Sequence, residues 1–164
     1  MATINSTLFL WLLRVLELME LEIGELTRDS QLGAKPLGLS DLEIDVELRD
    51  TVNEMFDDIL NRAVPSGAWR GSSTLADVLK TLVDNLRLKK IDDLRSFLQS
   101  TVDASLTSCG VTSATVPASD RPMVRDCLNN ELRQRPFLLR PIVLSDLVGQ
   151  RQAIIDSVLK RMLA

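Results

Sequence analysis

The chain has 164 residues, of which 45% are apolar and 26% charged, with a net charge of −4. This balance favours a soluble globular fold, and the 4% aromatic content predicts an aliphatic core. The sequence contains no His, the usual general base and metal ligand near neutral pH, and Cys109 and Cys127 fit no metal-ligand spacing. We therefore expect a protein that is not an enzyme and holds no catalytic residue, metal or obligatory cofactor.

No segment of the sequence indicates secretion or membrane insertion. The apolar run at residues 8–13 is too short to span a bilayer, is followed by Arg14, and lacks the flanks of a signal peptide. We expect a cytoplasmic protein without a membrane span. In that compartment Cys109 and Cys127 are predicted to be buried thiols, since a disulfide between them requires an oxidising environment.

Charge is distributed unevenly along the chain. Residues 1–64 hold 13 acidic and 5 basic side chains, a balance of −8, whereas residues 65–164 hold 10 acidic and 14 basic ones, a balance of +4. The basic residues are scattered and have few aromatic neighbours, so nucleic acid is not an expected partner. Opposite charges at the two ends either steer a protein partner or a second copy, or are simply solvated faces of one domain.

The first predicted helix covers residues 5–23, with Asn5 or Ser6 as its N-cap. It is apolar almost all round its first two turns, which places it either in the core or against another chain; we expect the core. A loop with several Gly residues and Pro36 follows, over residues 24–39.

The second predicted helix runs from Ser40 to about Asn61. Ser40 and Glu43 form a capping-box pattern, and one face carries a regular apolar stripe from Leu48 to Leu60. The other face is acidic, and is either solvated or a docking surface for a basic partner. Trp69 and Arg70 lie in the next loop, where the Trp is either a lid over the core or a surface contact. The candidate partner-binding residues are Glu43, Glu47, Asp50, Glu54, Asp57, Asp58, Trp69 and Arg70.

Four further helices complete the prediction of an all-α fold of about six helices in an irregular or orthogonal bundle. The third begins after a Ser73 cap, the fourth spans residues 91–104, the fifth starts at Ser119–Asp120, and the sixth covers residues 144–162. Residues 105–118 are uncharged and rich in Ser and Thr, which is typical of a linker. The predicted organisation is thus an acidic helical bundle at 1–104, a linker at 105–118 and a basic helical hairpin at 119–164.

Residues 8–86 resemble acyl carrier proteins. The segment 17–32, ending in TRDSQL, resembles the end of their first helix and the loop after it. The segment LGLSDL at 37–42 resembles the Leu-Gly-x-Asp-Ser-Leu motif that opens their second helix. Residues 73–79 resemble the start of their last helix. In that family the motif serine carries phosphopantetheine. Here Asp41 occupies that position, Ser40 lies one place earlier, and one residue is inserted before Val46. The resemblance implies Ser40 as the candidate phosphopantetheine site, whereas the capping pattern makes Ser40 a helix cap.

Residues 37–45, 48–60, 74–86 and 91–98 carry a second resemblance, because they look like helices 2 to 6 of death-fold adaptor domains. That family binds by helical self-association and has no catalytic residues. The sequence therefore predicts a non-enzymatic helical module for protein–protein interaction or assembly. Its contact surfaces would be the acidic second helix and the basic C-terminal hairpin, and its partner another protein or a second copy. An acyl-carrier-like protein modified at Ser40 is the alternative.

Overall fold

The computed structural model describes residues 2–133 and 148–164. This part of the chain contains α-helices and no β-strand, which confirms the all-α prediction. A π-helix at Glu43–Leu48 leads directly into α2, and short 3-10 helices occupy Asp57–Ile59 and Ala118–Asp120. The α-helices are α1 (Ile4–Leu18), α2 (Arg49–Met55), α3 (Leu75–Asp84), α4 (Ile91–Ser108), α5 (Arg121–Leu132) and α6 (Arg151–Met162).

The helices form two compact units. Residues 4–89 hold α1 to α3, and residues 90–164, together with residues 1–3, hold α4 to α6. The first unit is built by α1 packing against α2 and α3, and the second by α4 packing against α5 and α6. The division therefore falls before α4, whereas the sequence-based division placed a linker at 105–118.

Residues 105–108 of that predicted linker are helical. Leu106 is fully buried and continues the apolar face of α4, and the Thr107 hydroxyl donates a hydrogen bond to the Asp103 carbonyl. A hydrogen bond to the carbonyl one turn earlier satisfies a hydroxyl inside a helix. The Ser- and Thr-rich composition of this segment is therefore compatible with helix and did not mark the end of α4. The helix ends where Gly110 adopts a φ of +84°, and the Val111 N–H closes a Schellman motif on the Leu106 carbonyl.

The first helix lies in the core, as expected. Leu8, Trp11, Leu12, Val15 and Leu16 are fully buried, and the Trp11 ring stacks on that of Phe56 with centroids 6.5 Å apart. The helix starts at Ile4, so the predicted caps Asn5 and Ser6 lie inside its first turn.

The same helix ends five residues earlier than predicted. Glu20 has a φ of +63°, and the Glu20 and Leu21 N–H groups bond to the Glu17 and Leu16 carbonyls. This is again a Schellman ending, here with a residue other than Gly in the left-handed position.

Two other helix starts differ from their predictions. Thr74, not Ser73, caps α3, because its side chain accepts from the Asp77 N–H while the Asp77 carboxylate accepts from the Thr74 N–H. The α6 helix starts at Arg151, although residues 144–162 were predicted to be helical. Before this start, Gly149 has a φ of +91° and Val148 is 55% exposed. The predicted start at residues 144–147 and the turn of the predicted hairpin lie outside the described residues.

The prediction of two free thiols was wrong. Cys109, the C-cap of α4, and Cys127 of α5 form a disulfide with a Cα–Cα distance of 5.8 Å. The packing of α5 on α4 brings these half-buried residues together. Their separation of 18 residues does not reveal this pairing, which depends on tertiary structure. In the described part of the chain no helix is both long and apolar enough to cross a membrane.

Candidate functional site

The acidic face consists of Glu47, Asp50, Glu54 and Asp57, all of them exposed. These residues follow one another at spacings of three or four along the π-helix, α2 and the 3-10 helix, and therefore lie in a row. Within the described residues the carboxylates of Glu47, Glu54 and Asp57 have no hydrogen-bond or ion-pair partner. Asp50 has one cation nearby, the Arg49 guanidinium at 3.6 Å.

This row of like charges destabilises its own helix. Each pair of carboxylates three or four residues apart lowers the stability of a helix by about 0.2–0.5 kcal/mol. Glu54 and Asp57 also lie near the C-terminal end of the helix, where the dipole disfavours negative charge. A cationic group bound to this face would relieve both effects.

Two exposed apolar side chains precede the acidic face. Leu42 is 73% exposed and Val46 is 43% exposed, and they lie one turn apart at the start of the helix. Neither was among the predicted contact residues. Their exposure could have been predicted from the sequence. The buried residues recur every four positions, at Ile44, Leu48, Val52 and Phe56, and Leu42 and Val46 do not belong to this series. Leu42 and Val46 give a partner apolar area to bury beside the carboxylates.

Asp45, on the acidic side of the predicted second helix, is held by the turn at residues 66–67. Its two carboxylate oxygens accept hydrogen bonds from the Gly67 N–H and the Ser66 hydroxyl, both at 2.7 Å, and the Arg49 Nε lies 3.5 Å away. The Gly67 N–H, then the Ser66 hydroxyl and the Arg49 charge, lower the pKa of the Asp45 carboxyl below its usual value. Asp45 therefore fixes the loop after the helix and is not free for a partner.

Ser40 and Glu43 form the predicted capping box. The Glu43 N–H donates to the Ser40 hydroxyl at 3.2 Å, and the Ser40 N–H donates to the Glu43 carboxylate at 3.1 Å. Ser40 is nevertheless exposed, so its hydroxyl is accessible from solvent. Asp41 turns away from this cap, and its carboxylate accepts from the Gly71 N–H at 3.2 Å.

Two loops support the start of this helix. The Gly33 N–H donates to the Gly71 carbonyl, and the Leu32 N–H to the Ser73 carbonyl, both at 2.9 Å. A Cβ atom on Gly33 would lie 2.9 Å from the Gly71 Cα, so only Gly permits this approach. The long segment 24–39 is thus bonded to the residues before α3, which holds Ser40 and Asp41 in place.

Trp69 is a lid over the core. It is 4% exposed, and its indole N–H donates to the Thr81 hydroxyl of α3 at 3.1 Å. It is therefore not accessible to a partner in this structure. Arg70, beside it, is exposed. Glu43 is half-buried in the capping box, and Asp58 is exposed next to Asp57. Of the predicted contact residues, Trp69 is thus buried and Glu43 half-buried, whereas the acidic face, Asp58 and Arg70 are exposed.

Part of the positive charge of the C-terminal unit is used internally. Arg151 donates to the Asp103 carboxylate and carbonyl, both at 2.8 Å, to the Thr107 hydroxyl at 2.7 Å, and to the Val111 carbonyl. Arg125 pairs with the adjacent Asp126 at 3.0 Å. Arg151 therefore joins α6 to the end of α4, and the basic surface of the described α5 and α6 is smaller than their charge count indicates.

No group of three or more potential metal ligands occurs among the described residues. Comparisons with protein-family models, with curated proteins and with solved structures found no match to this chain.

Proposed function

We propose that this chain is a non-enzymatic interaction module that binds a cationic, partly apolar protein surface through the acidic face and the adjoining Leu42 and Val46. One observation carries the proposal: three carboxylates of that face have no partner within the described residues, although they repel one another along one helix. The exposed Leu42 and Val46 make the surface amphipathic, as a protein contact requires.

The chemistry of the surface defines the partner. A helix that presents Lys or Arg along one edge and Leu beside it would neutralise the carboxylates and cover the apolar pair. Electrostatic attraction between such surfaces mainly raises the association rate and selects against acidic partners. The basic C-terminal helices are a second contact surface in this proposal, so the partner is another protein or a second copy of the chain.

Binding to a cationic amphipathic helical peptide, followed by fluorescence anisotropy, tests the interaction. Raising the salt concentration from about 0.1 M to about 1 M shortens the Debye length from about 10 Å to about 3 Å. We expect saturable binding at low salt that weakens at high salt. An anionic peptide of the same length and apolar content is the control. Equal binding of the two peptides, or no binding of the cationic one, would refute the proposal.

Light scattering at low and high salt tests the assembly form of the proposal. Self-association through oppositely charged surfaces is expected to give a larger mass at low salt and a monomer at high salt. A monomer at every salt and protein concentration removes self-assembly and leaves a different protein as the partner.

An acyl-carrier-like role is a second candidate, and Ser40 favours it. Ser40 is an exposed residue at the start of a helix. The compact unit that contains it has a first helix, a long loop, a second helix and a last helix, which is the order that the resemblance implies. The π-helix at Glu43–Leu48 accommodates one extra residue in a turn, which matches the insertion before Val46. Phosphopantetheine on Ser40 is thus part of this second proposal.

Intact mass after co-expression with a phosphopantetheinyl transferase decides it. The carrier role predicts an added arm in the native chain and none in Ser40→Ala. An unmodified native chain, or an equal mass shift in the variant, eliminates Ser40 as the site. This result is independent of peptide binding at the acidic face.

The disulfide bears on where the module acts. Disulfides persist in oxidising compartments and are rare in the cytosol, so the Cys109–Cys127 bond argues against the cytoplasmic location expected from the sequence. We therefore place the proposed interaction in an oxidising compartment. Alkylation of intact producing cells before lysis, followed by mass spectrometry, should find both cysteines unalkylated. Two alkylated thiols would restore the cytoplasmic expectation.

A further inference from the structure

A cleft of about 240 Å³ opens in the unit of residues 4–89, and none of its lining residues belongs to the acidic face. It lies between the start of α1, the turn at residue 28 and one side of α3. Its lining residues are Asn5, Arg28, Ala76, Leu79, Lys80 and Val83. The charged residues in this lining are both cations, although residues 4–89 hold 15 acidic and 9 basic side chains. The cleft is therefore a local exception to the charge of its unit.

Arg28 is held in position at the edge of the cleft. Its carbonyl accepts a hydrogen bond from the Ala76 N–H at 2.8 Å, which ties it to the first turn of α3. Its guanidinium carbon lies 5.0 Å from the centroid of the Phe9 ring, a cation–π contact. Within the described residues this guanidinium forms no ion pair with a carboxylate. Arg28 thus lines the cleft with guanidinium N–H donors that no carboxylate of the described residues occupies.

Lys80 supplies the second cation. Its ammonium pairs with Asp84 at 3.3 Å on the same helix, and both side chains are largely exposed. Exposed pairs of this kind contribute little to stability, so the Lys80 ammonium can turn toward a bound anion at small cost.

The floor of the cleft is apolar. Ala76, Leu79 and Val83 follow one another along α3 at spacings of three and four, and Leu79 is 4% exposed. The seven residue steps from Ala76 to Val83 give a strip about 10 Å long. An unbranched aliphatic chain of medium length covers such a strip, and a single carboxylate attached to it meets Arg28 and Lys80.

We infer that this cleft binds a medium-chain aliphatic monocarboxylate, with the carboxylate at Arg28 and Lys80 and the chain along Ala76, Leu79 and Val83. The site shares no residue with the acidic face, so it is a further activity and does not depend on the proposed function.

Isothermal titration with sodium octanoate tests the inference. Octanoate is expected to bind with one site per chain. Octanol, which lacks the charge, and acetate, which lacks the chain, are each expected to bind about tenfold more weakly or worse. No heat of binding with millimolar octanoate, or equal affinity for octanol, overturns the inference.

Matched variants locate the site. Arg28→Gln and Lys80→Gln each remove one lining cation, whereas Lys35→Gln removes an exposed cation of the same unit that does not line the cleft. We expect Arg28→Gln to weaken octanoate binding by about tenfold and Lys80→Gln by less, with Lys35→Gln unchanged. Circular dichroism checks that each variant is folded. Unchanged affinity in both lining variants, or an equal loss in Lys35→Gln, contradicts this assignment.

Discussion

Removal of the Cys109–Cys127 disulfide is expected to destabilise the unit of residues 90–164. The bond closes a loop across 18 residues of chain. For a loop of this length, the restriction of the unfolded chain is worth about 3 kcal/mol in the free energy of unfolding. With a urea dependence of about 1–2 kcal/mol per molar for a small unit, the midpoint of unfolding should fall by more than about 1 M.

Urea unfolding of the oxidised chain, the reduced chain and a Cys109→Ser/Cys127→Ser variant measures this loss. Far-ultraviolet circular dichroism reports on helices of both units. Trp11 and Trp69, the two tryptophans of the chain, lie in residues 4–89, so their fluorescence reports on the other unit. We expect the dichroism transition to move on reduction, and the double variant to match the reduced chain. The reasoning fails if air-exposed protein titrates two free thiols, or if the double variant is as stable as the oxidised chain.

Three further substitutions test local features of residues 4–89 by urea unfolding followed by tryptophan fluorescence. Glu20→Gly should stabilise the unit by about 1 kcal/mol, because Glu20 has a φ of +63°, which is costly for any residue with a Cβ. An unchanged free energy of unfolding would contradict the left-handed conformation of residue 20. Gly33→Ala should destabilise it by about 1–3 kcal/mol through contact with the Gly71 backbone. The control Gly24→Ala meets no atom within 4 Å and should not destabilise, so equal losses would refute the loop contact. Asp45→Asn should lower stability at neutral pH. The pKa of the Asp45 carboxyl is lowered on folding. Its contribution to the free energy of unfolding is therefore present above the unfolded pKa near 3.8 and is lost as the pH falls through the lower pKa of the folded state. The stabilities of the native chain and the variant should converge in acid. A difference that is constant with pH would contradict it.

Features set by neighbouring residues were predictable from the sequence. The Ser40–Glu43 capping box depends on residues three apart, and the stripe from Leu48 to Leu60 follows from helix periodicity. Helix ends were less predictable when they used an unusual residue. Glu20 follows the end of α1 in the left-handed conformation that Gly usually adopts there. The predicted helix was instead ended at residue 23, before Gly24, which placed its end five residues too late.

Features set by distant residues were not predictable. Asp45 appears solvated on a helical projection, yet its partner Gly67 is 22 residues away. Trp69 was open to two interpretations until its hydrogen bond to Thr81 placed it over the core. The sulfur pairing depends likewise on how α5 packs against α4. In each case a tertiary contact fixes the role of a side chain whose local sequence is compatible with several roles.

Charge removal from the acidic face tests the proposed function most directly. The triple variant Glu47→Gln/Glu54→Gln/Asp57→Asn removes three unpartnered carboxylates, and the matched variant Glu22→Gln/Glu25→Gln/Asp29→Asn removes three exposed carboxylates from the loop before the helix. Both variants change the net charge by the same amount, so only the location differs. If the acidic face is the binding surface, the first variant should bind the cationic amphipathic peptide about tenfold or more weakly than the native chain, and the second nearly as well. Equal weakening of both variants would mean that the net charge alone attracts the peptide, and would contradict a binding site on this helix.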